Sequence, residues 1–179
     1  IMDNASLKCW GRNNYGQLGT SITSHTNIPQ LIELGNGHDA VSISLGHWHT
    51  CAILDNASLK CWGMGGWGEL GIGSTTGHNT PQYVDLGTGR TAVAVSAGYD
   101  FTCAILDNAS LNCWGNNGNG QLGIGDTTGY PQQTTPAWVD IGAGRHMDLS
   151  ERDMDGDGVL NIFDTHMPGG QEDSIHMDS

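Results

Sequence analysis

A nine-residue string, Asp-Asn-Ala-Ser-Leu-Lys-Cys-Trp-Gly, stands at Asp3 to Gly11, again at Asp55 to Gly63, and once more at Asp107 to Gly115 with Asn112 in place of lysine. The spacing is 52 residues each time. A period of this length marks stacked supersecondary units, none of which can bury its apolar face without a neighbour. Function is therefore expected on surfaces that successive copies build together.

Within each copy the pattern is that of short strands. Residues 39–46 align with 91–98, both alternating small or polar residues with β-branched ones, as a half-buried strand does. Residues 50–54, aligned with 102–106, form a short apolar run that a turn at Asp-Asn-Ala-Ser links to Leu-Lys-Cys-Trp, so the pair reads as a β-hairpin. A glycine-rich block follows, with Gly16 to Gly19, Gly68 to Gly71 and Gly120 to Gly123 in register. One more strand begins at proline, over residues 81–86. In the third copy Pro136 falls three residues late, which places an insertion in a loop around Tyr130 to Gln133. Four short strands per copy and no helical periodicity describe an all-β chain of about three β-propeller blades built from antiparallel strands. A β-sandwich is the alternative, but it does not require copies at constant spacing.

The order Cys-Trp-Gly-x-Asn-x-x-Gly-Gln-Leu-Gly, then proline, a Val-x-x-Ser-x-Gly strand and His-Thr-Cys-Ala resembles the repeat of the regulator of chromosome condensation (RCC1) family over roughly residues 1–145. The resemblance implies a segment of a seven-bladed propeller. Its functional implications are broader, since the family includes an exchange factor for a nuclear GTPase, ubiquitin ligase modules and secreted inhibitors or adhesins.

The glycines of the Gly-Gln-Leu-Gly block are expected at positive φ or at points of close backbone approach, and no Lys-Ser or Lys-Thr follows them to make a phosphate loop. Trp10, Trp62 and Trp114 are expected to pack between blades, each indole N–H meeting a backbone carbonyl. Trp48 and Trp67 have no counterparts in the other copies and are the candidates for an exposed binding surface. Gly46-His47-Trp48-His49 is matched by Gly98-Tyr99-Asp100-Phe101, so the repeat requires neither histidine, and both are given structural or surface roles. No catalytic constellation is found, which points away from an enzyme.

Cys51 and Cys61 flank one hairpin, and Cys103 and Cys113 flank the next. With a three-residue loop at Asp55-Asn56-Ala57, Leu54 faces Ser58 and Cys51 faces Cys61; with a two-residue loop they point to opposite faces. A facing pair can close a disulfide that stabilises the fold by about 2 to 3 kcal/mol. Ile1 begins in mid-pattern, so the chain is expected to be a piece of something longer, with a partner for Cys9 before residue 1. Disulfides imply an extracellular, periplasmic or cell-surface setting; the competing reading is five reduced cysteines in a cytoplasmic protein. Zinc does not fit a cysteine spacing of ten without a nearby histidine pair.

Residues 153–164 place oxygen ligands at the first, third, fifth, seventh, ninth and twelfth positions of a calcium loop, with Gly158 at the sixth. The ligands would be Asp153, Asp155, Asp157, the carbonyl of Val159, Asn161 and Asp164. Asp164 replaces the usual glutamate and Pro168-Gly169-Gly170 follows closely, so the loop resembles a thrombospondin type 3 or dockerin-type calcium repeat, families that are extracellular. A solvated acidic linker is the alternative.

Charge agrees with a separate tail. Of the formal charge of −13, residues 1–146 carry −5 and residues 147–179 carry −8. The expected organisation is propeller repeats over 1–146, an acidic calcium-binding linker over 147–168 and a disordered tail over 169–179. An acidic chain gains nothing from phosphate counterion release, which excludes nucleic acid as the expected partner, and no apolar run is long enough for membrane insertion. The leading expectation is a non-catalytic protein-binding scaffold. Its contacts are with an unidentified protein, with further blades of the same chain, or with itself through open strand edges. The alternative is an exchange factor for a small GTPase, and a calcium-dependent hydrolase or lyase comes third.

Overall fold

A computed structural model describes residues 1–35, 37–125 and 132–142. Ten strands run through them: β1 (Lys8–Gly11), β2 (Thr26–Leu31), β3 (Ala40–Leu45), β4 (His49–Leu54), β5 (Leu59–Gly63), β6 (His78–Tyr83), β7 (Ala92–Ala97), β8 (Phe101–Leu106), β9 (Leu111–Asn116) and β10 (Gln132–Trp138). They form a two-stranded sheet, β1-β2, and two four-stranded sheets in chain order, β3-β4-β5-β6 and β7-β8-β9-β10. Every pairing is antiparallel. These are two complete blades and the outer half of another. All the described residues belong to one compact unit, Ile1–Met147. The calcium-loop positions Asp153, Asp155, Asp157, Val159, Asn161 and Asp164 lie outside the described residues, as do Tyr130 and Pro131 of the expected insertion.

The hairpin turn sets the register of each blade. Ala57 N donates to Leu54 O at 2.8 Å, and Leu54 N donates to Ser58 O at 2.9 Å, closing a three-residue loop. Asn56 Oδ1 accepts from Ser58 N at 3.1 Å and from Ser58 Oγ at 2.7 Å, which holds the loop shut. Ala5, Ala57 and Ala109 all adopt positive φ, at 61°, 60° and 63°. With this loop Cys51 faces Cys61 and Cys103 faces Cys113, and both pairs are joined as disulfides. Cys9 is the free thiol.

The expected strand at 81–86 runs instead from His78 to Tyr83, so Pro81 lies inside it rather than at its start. Pro29 and Pro136 are likewise inside β2 and β10. All three strands are edge strands of their sheets, where an amide facing away from the ladder is dispensable.

Blades are locked together by one junction used twice. Trp62 is fully buried, and its Nε1 donates to Gln17 O at 3.0 Å, a carbonyl that also accepts from Thr50 Oγ1 at 2.8 Å. One repeat along, Glu69 O accepts from Trp114 Nε1 at 3.0 Å and from Thr102 Oγ1 at 2.9 Å. A Cβ on Gly19 would sit 2.7 Å from Trp62 Nε1, and one on Gly71 would sit 2.6 Å from Trp114 Nε1. The second glycine of Gly-Gln-Leu-Gly thus makes room for the next blade's indole while holding positive φ. Around each indole sits a core layer, Leu7, Ile32, Leu34, Ala52 and Leu54 with Trp62, and Ile53, Leu59, Leu70, Val84 and Leu106 with Trp114. Burying one such side chain contributes about 3 kcal/mol.

Trp10 departs from its expected place between blades. It is 60% exposed, because no preceding blade presents a carbonyl and a glycine to it among the described residues.

Candidate binding face

The turns that join the first two strands of each blade lie side by side. Gly46 N donates to His49 O at 2.9 Å and Gly98 N to Phe101 O at 2.8 Å, closing the turns that carry His47-Trp48 and Tyr99-Asp100. Each turn is then clamped from behind: Met64 N donates to Trp48 O at 2.9 Å, and Asn116 N to Asp100 O at 2.8 Å. His47 N donates to Gly98 O at 3.3 Å, tying one turn to the next across the blade boundary. Backbone fixed in this way presents its side chains with little ordering entropy left to lose.

What the turns present is a strip of rings. Tyr15 meets Trp48 edge-on with centroids 5.0 Å apart, Trp48 lies 4.0 Å from His47, and His47 lies 3.9 Å from Tyr99. The Arg12 guanidinium sits 4.2 Å from the Trp48 centroid. With its amide turned to satisfy both neighbours, Asn14 Oδ1 accepts from Arg12 Nε and Nη2 at 3.2 and 3.0 Å, which steadies the guanidinium. Tyr15 is 45% and Tyr99 63% exposed, His47 is exposed and Trp48 half-buried. The strip crosses two blade boundaries, so only the assembled repeats can build it.

The next station has different chemistry. Met64, Trp67 and Asp100 stand one repeat after Arg12, Tyr15 and Trp48, and Glu69 stands one repeat after Gln17. At all three stations the side-chain oxygen of this block accepts an amide two residues back: Gln17 from Tyr15 N at 3.0 Å, Glu69 from Trp67 N at 2.7 Å and Gln121 from Asn119 N at 2.9 Å. Glu69 is the only one of the three that can ionise. Burial pushes its carboxyl up, partly offset by hydrogen bonds from the Glu69 and Trp67 amides, and the Asp100 charge raises it further. Asp100 is itself raised by desolvation, with the charge of His47 pulling the other way. The strip therefore runs from a cationic end at Arg12 to an acidic end at Asp100.

Of the two tryptophans singled out by their lack of counterparts, Trp48 lies in the strip and Trp67 is half-buried at the second station. Arg12, Tyr15, His47 and Tyr99 were not singled out as binding residues, although the aligned copies differ at each of their positions. His49 is buried, with Nε2 2.8 Å from Thr102 Oγ1, and fills the place that Phe101 fills in the next blade. Among the described residues no group of three or more His, Cys, Asp or Glu could hold a metal ion.

Comparison with known proteins agrees with this architecture. The regulator of chromosome condensation (RCC1) repeat matches residues 9–53 and 61–105, and a second description of the same repeat matches residues 40–68 and 92–121. The ultraviolet-B receptor UVR8 of Arabidopsis thaliana is 31% identical over 150 residues, covering 83% of this chain and 34% of that protein. The human E3 ubiquitin-protein ligase HERC2 is 33% identical over 128 residues, 72% of this chain and 3% of HERC2. Among solved structures, Prp20p of Saccharomyces cerevisiae, described with its binding properties to Gsp1p and histones, superposes with a TM-score of 0.71 at 20% identity, covering 80% of this chain and 36% of that one. Human WBSCR16 superposes with a TM-score of 0.63 at 23% identity, covering 75% and 34%. The chain thus spans about a third of UVR8 and of these two structures.

Proposed function

Since this chain belongs to the RCC1 repeat family, we propose that it is a non-catalytic protein-binding module that engages its partner through the strip Tyr15, Trp48, His47 and Tyr99. The carrying observation is the strip itself: exposed Tyr15, His47 and Tyr99 in contact with one another through a half-buried Trp48 or directly, with His47, Trp48 and Tyr99 held on clamped turns and a guanidinium at one end. Tyrosine, tryptophan and arginine are the residues that anchor protein interfaces, because they bring large contact area at low entropic cost. Arg12 and His47 favour a partner segment with an acidic residue beside its apolar anchor.

Two further readings accompany it. The disulfides Cys51–Cys61 and Cys103–Cys113 support an extracellular or periplasmic setting. The ligand spacing from Asp153 to Asp164 supports a linker stiffened by calcium. The exchange-factor role for a small GTPase that the family resemblance implies stands as the alternative.

The test is selection of peptides from a displayed library against the immobilised chain, with a Trp48→Ala/Tyr99→Ala chain as counter-target. Enriched sequences should bind the variant at least about tenfold more weakly, the effect of losing a 1.4 kcal/mol contact. Sequences that bind both chains equally well would place the interaction elsewhere.

A further inference from the structure

The 52-residue period carries one tripeptide, Asn-Ala-Ser, at Asn4, Asn56 and Asn108. No other asparagine in the chain is followed two residues on by serine or threonine. All three asparagines are exposed at the tips of turns closed in the same way, by Met2 N donating to Ser6 O, Leu54 N to Ser58 O and Leu106 N to Ser110 O.

Each turn fixes its asparagine amide in one orientation. Asn4 Oδ1 accepts from Ser6 N and Oγ at 3.2 and 2.8 Å, Asn56 Oδ1 from Ser58 N and Oγ at 3.1 and 2.7 Å, and Asn108 Oδ1 from Ser110 N and Oγ at 3.2 and 2.8 Å. With the oxygen held by the serine, Nδ2 on the other arm of the amide faces away from the turn. Asn4 Nδ2 and Asn108 Nδ2 have no partner among the described residues. Asn56 Nδ2 donates to His38 Nε2 at 3.2 Å, which uses one of its two protons. An aspartate would accept the same two bonds from serine, so the turn itself makes no use of the amide nitrogen.

We propose that Asn4, Asn56 and Asn108 are acceptor sites for N-linked glycans. Asn-x-Ser with x other than proline is the acceptor pattern, and it belongs on an exposed loop of a secreted chain. The inference rests on the extracellular setting read from the two disulfides. In the transfer, the amide nitrogen attacks the anomeric carbon of a sugar carried on a lipid pyrophosphate. The N–C bond forms as the C–O bond to pyrophosphate breaks, the lipid pyrophosphate leaves with the electron pair, and one amide proton passes to a base of the transferring enzyme. The N–H that remains on Asn56 is the one donated to His38.

The sites divide the molecule by face. The turn carrying His47 and Trp48 precedes β4 and Asn56 follows it, and Tyr99 and Asn108 bracket β8 in the same way. Each of these strands has six residues. A strand of that length spans about 20 Å. Glycans on Asn56 and Asn108 therefore stand on the rim opposite the aromatic strip and leave it clear.

The test is peptide mapping by mass spectrometry of the whole chain, secreted from cells that transfer glycans to asparagine, with free thiols counted on the same sample. The expected result is a glycan mass on the peptides containing Asn4, Asn56 and Asn108, removed by an amidase that leaves aspartate at each. Asn56→Asp keeps the oxygen that closes the turn and lacks the nitrogen, so it should lose the glycan of that copy alone while the Cys51–Cys61 disulfide still forms. Carbethoxylation of His38, beside Asn56, should be slower with the full glycan than after trimming to its first sugar, and that of His47, at the other end of β4, should be the same in both. Bare asparagines in a chain with one free thiol overturn the sites and leave the extracellular setting standing, whereas bare asparagines with five free thiols overturn both. A full glycan that slows His47 as much as His38 overturns the division by face.

Discussion

Residues 3–11 and 55–63 are the same nine amino acids in two different situations. In the second stretch Trp62 is at 0% exposure and Lys60 at 6%, its Nζ donating to Leu34 O at 2.6 Å while lying 3.9 Å from the centre of the Tyr83 ring. In the first, Trp10 and Lys8 are exposed. Identical local sequence gives opposite burial, so the difference comes wholly from what stands alongside. A blade neighbour supplies the carbonyl of Gln17 and the space at Gly19 to Trp62. Stability in such a chain is a sum of repeats and of the interfaces between them, and among the described residues β1 and β2 have one interface fewer than the complete blades.

The largest effect that can break this comparison is truncation of the paired indoles. Trp62→Ala should cost about 3 to 5 kcal/mol in denaturant unfolding, through a large cavity and an unsatisfied Gln17 carbonyl, whereas Trp10→Ala should cost under about 1 kcal/mol. Equal costs would mean that the repeat is stabilised locally and not across junctions. The cysteines sharpen the same contrast. Cys51→Ala/Cys61→Ala removes a closed loop and should cost about 2 to 3 kcal/mol, while Cys9→Ala should cost about 1 kcal/mol or less. A thiol count on the unfolded, unreduced chain should find one per molecule; five would remove both the disulfides and the extracellular reading with them.

Acid separates the two complete blades, because one holds His49 where the other holds Phe101. Burial lowers the His49 pKa from 6.5 to about 4. Its folded value lies below its unfolded one, so between these limits the unfolded chain binds the extra proton. The contribution is present in full above pH 6.5 and is lost as pH falls toward 4, by about 3 kcal/mol at most. His49→Phe should flatten this part of the pH profile measured by thermal unfolding, and an unchanged profile would show that the histidine is not its source. Glu69 has the opposite sign. Its raised carboxyl stabilises the fold below the unfolded value of 4.5, and that contribution is lost as pH rises through the folded value, so Glu69→Gln should stabilise the chain at neutral pH and leave it unchanged near pH 4.

What could be read from sequence was what is local or periodic. The hairpin at Asp55-Asn56-Ala57 and positive φ at Gly16, Gly68 and Gly120 depend on residues within one hairpin or one block, and the period repeats them; the choice between a two- and a three-residue loop, and with it the pairing of Cys51 with Cys61, is settled only by the backbone hydrogen bonds of the turn. The strand from His78 was harder, because Pro81 looks like punctuation until its place on a sheet edge is known. The binding strip was hardest, since Tyr15, His47 and Tyr99 come from three segments separated by 32 and 52 residues and meet only when blades stack. Its one trace in the sequence is the set of positions at which otherwise matched copies disagree.

The most direct measurement is hydrogen exchange of the two identical nonapeptides in one sample, told apart by the Arg12 or Met64 that follows each. With stability carried by the junctions between blades, the amides of β5 should be protected up to the global unfolding free energy, and those of β1 should exchange at least about a hundredfold faster. Equal protection of both stretches would contradict the account.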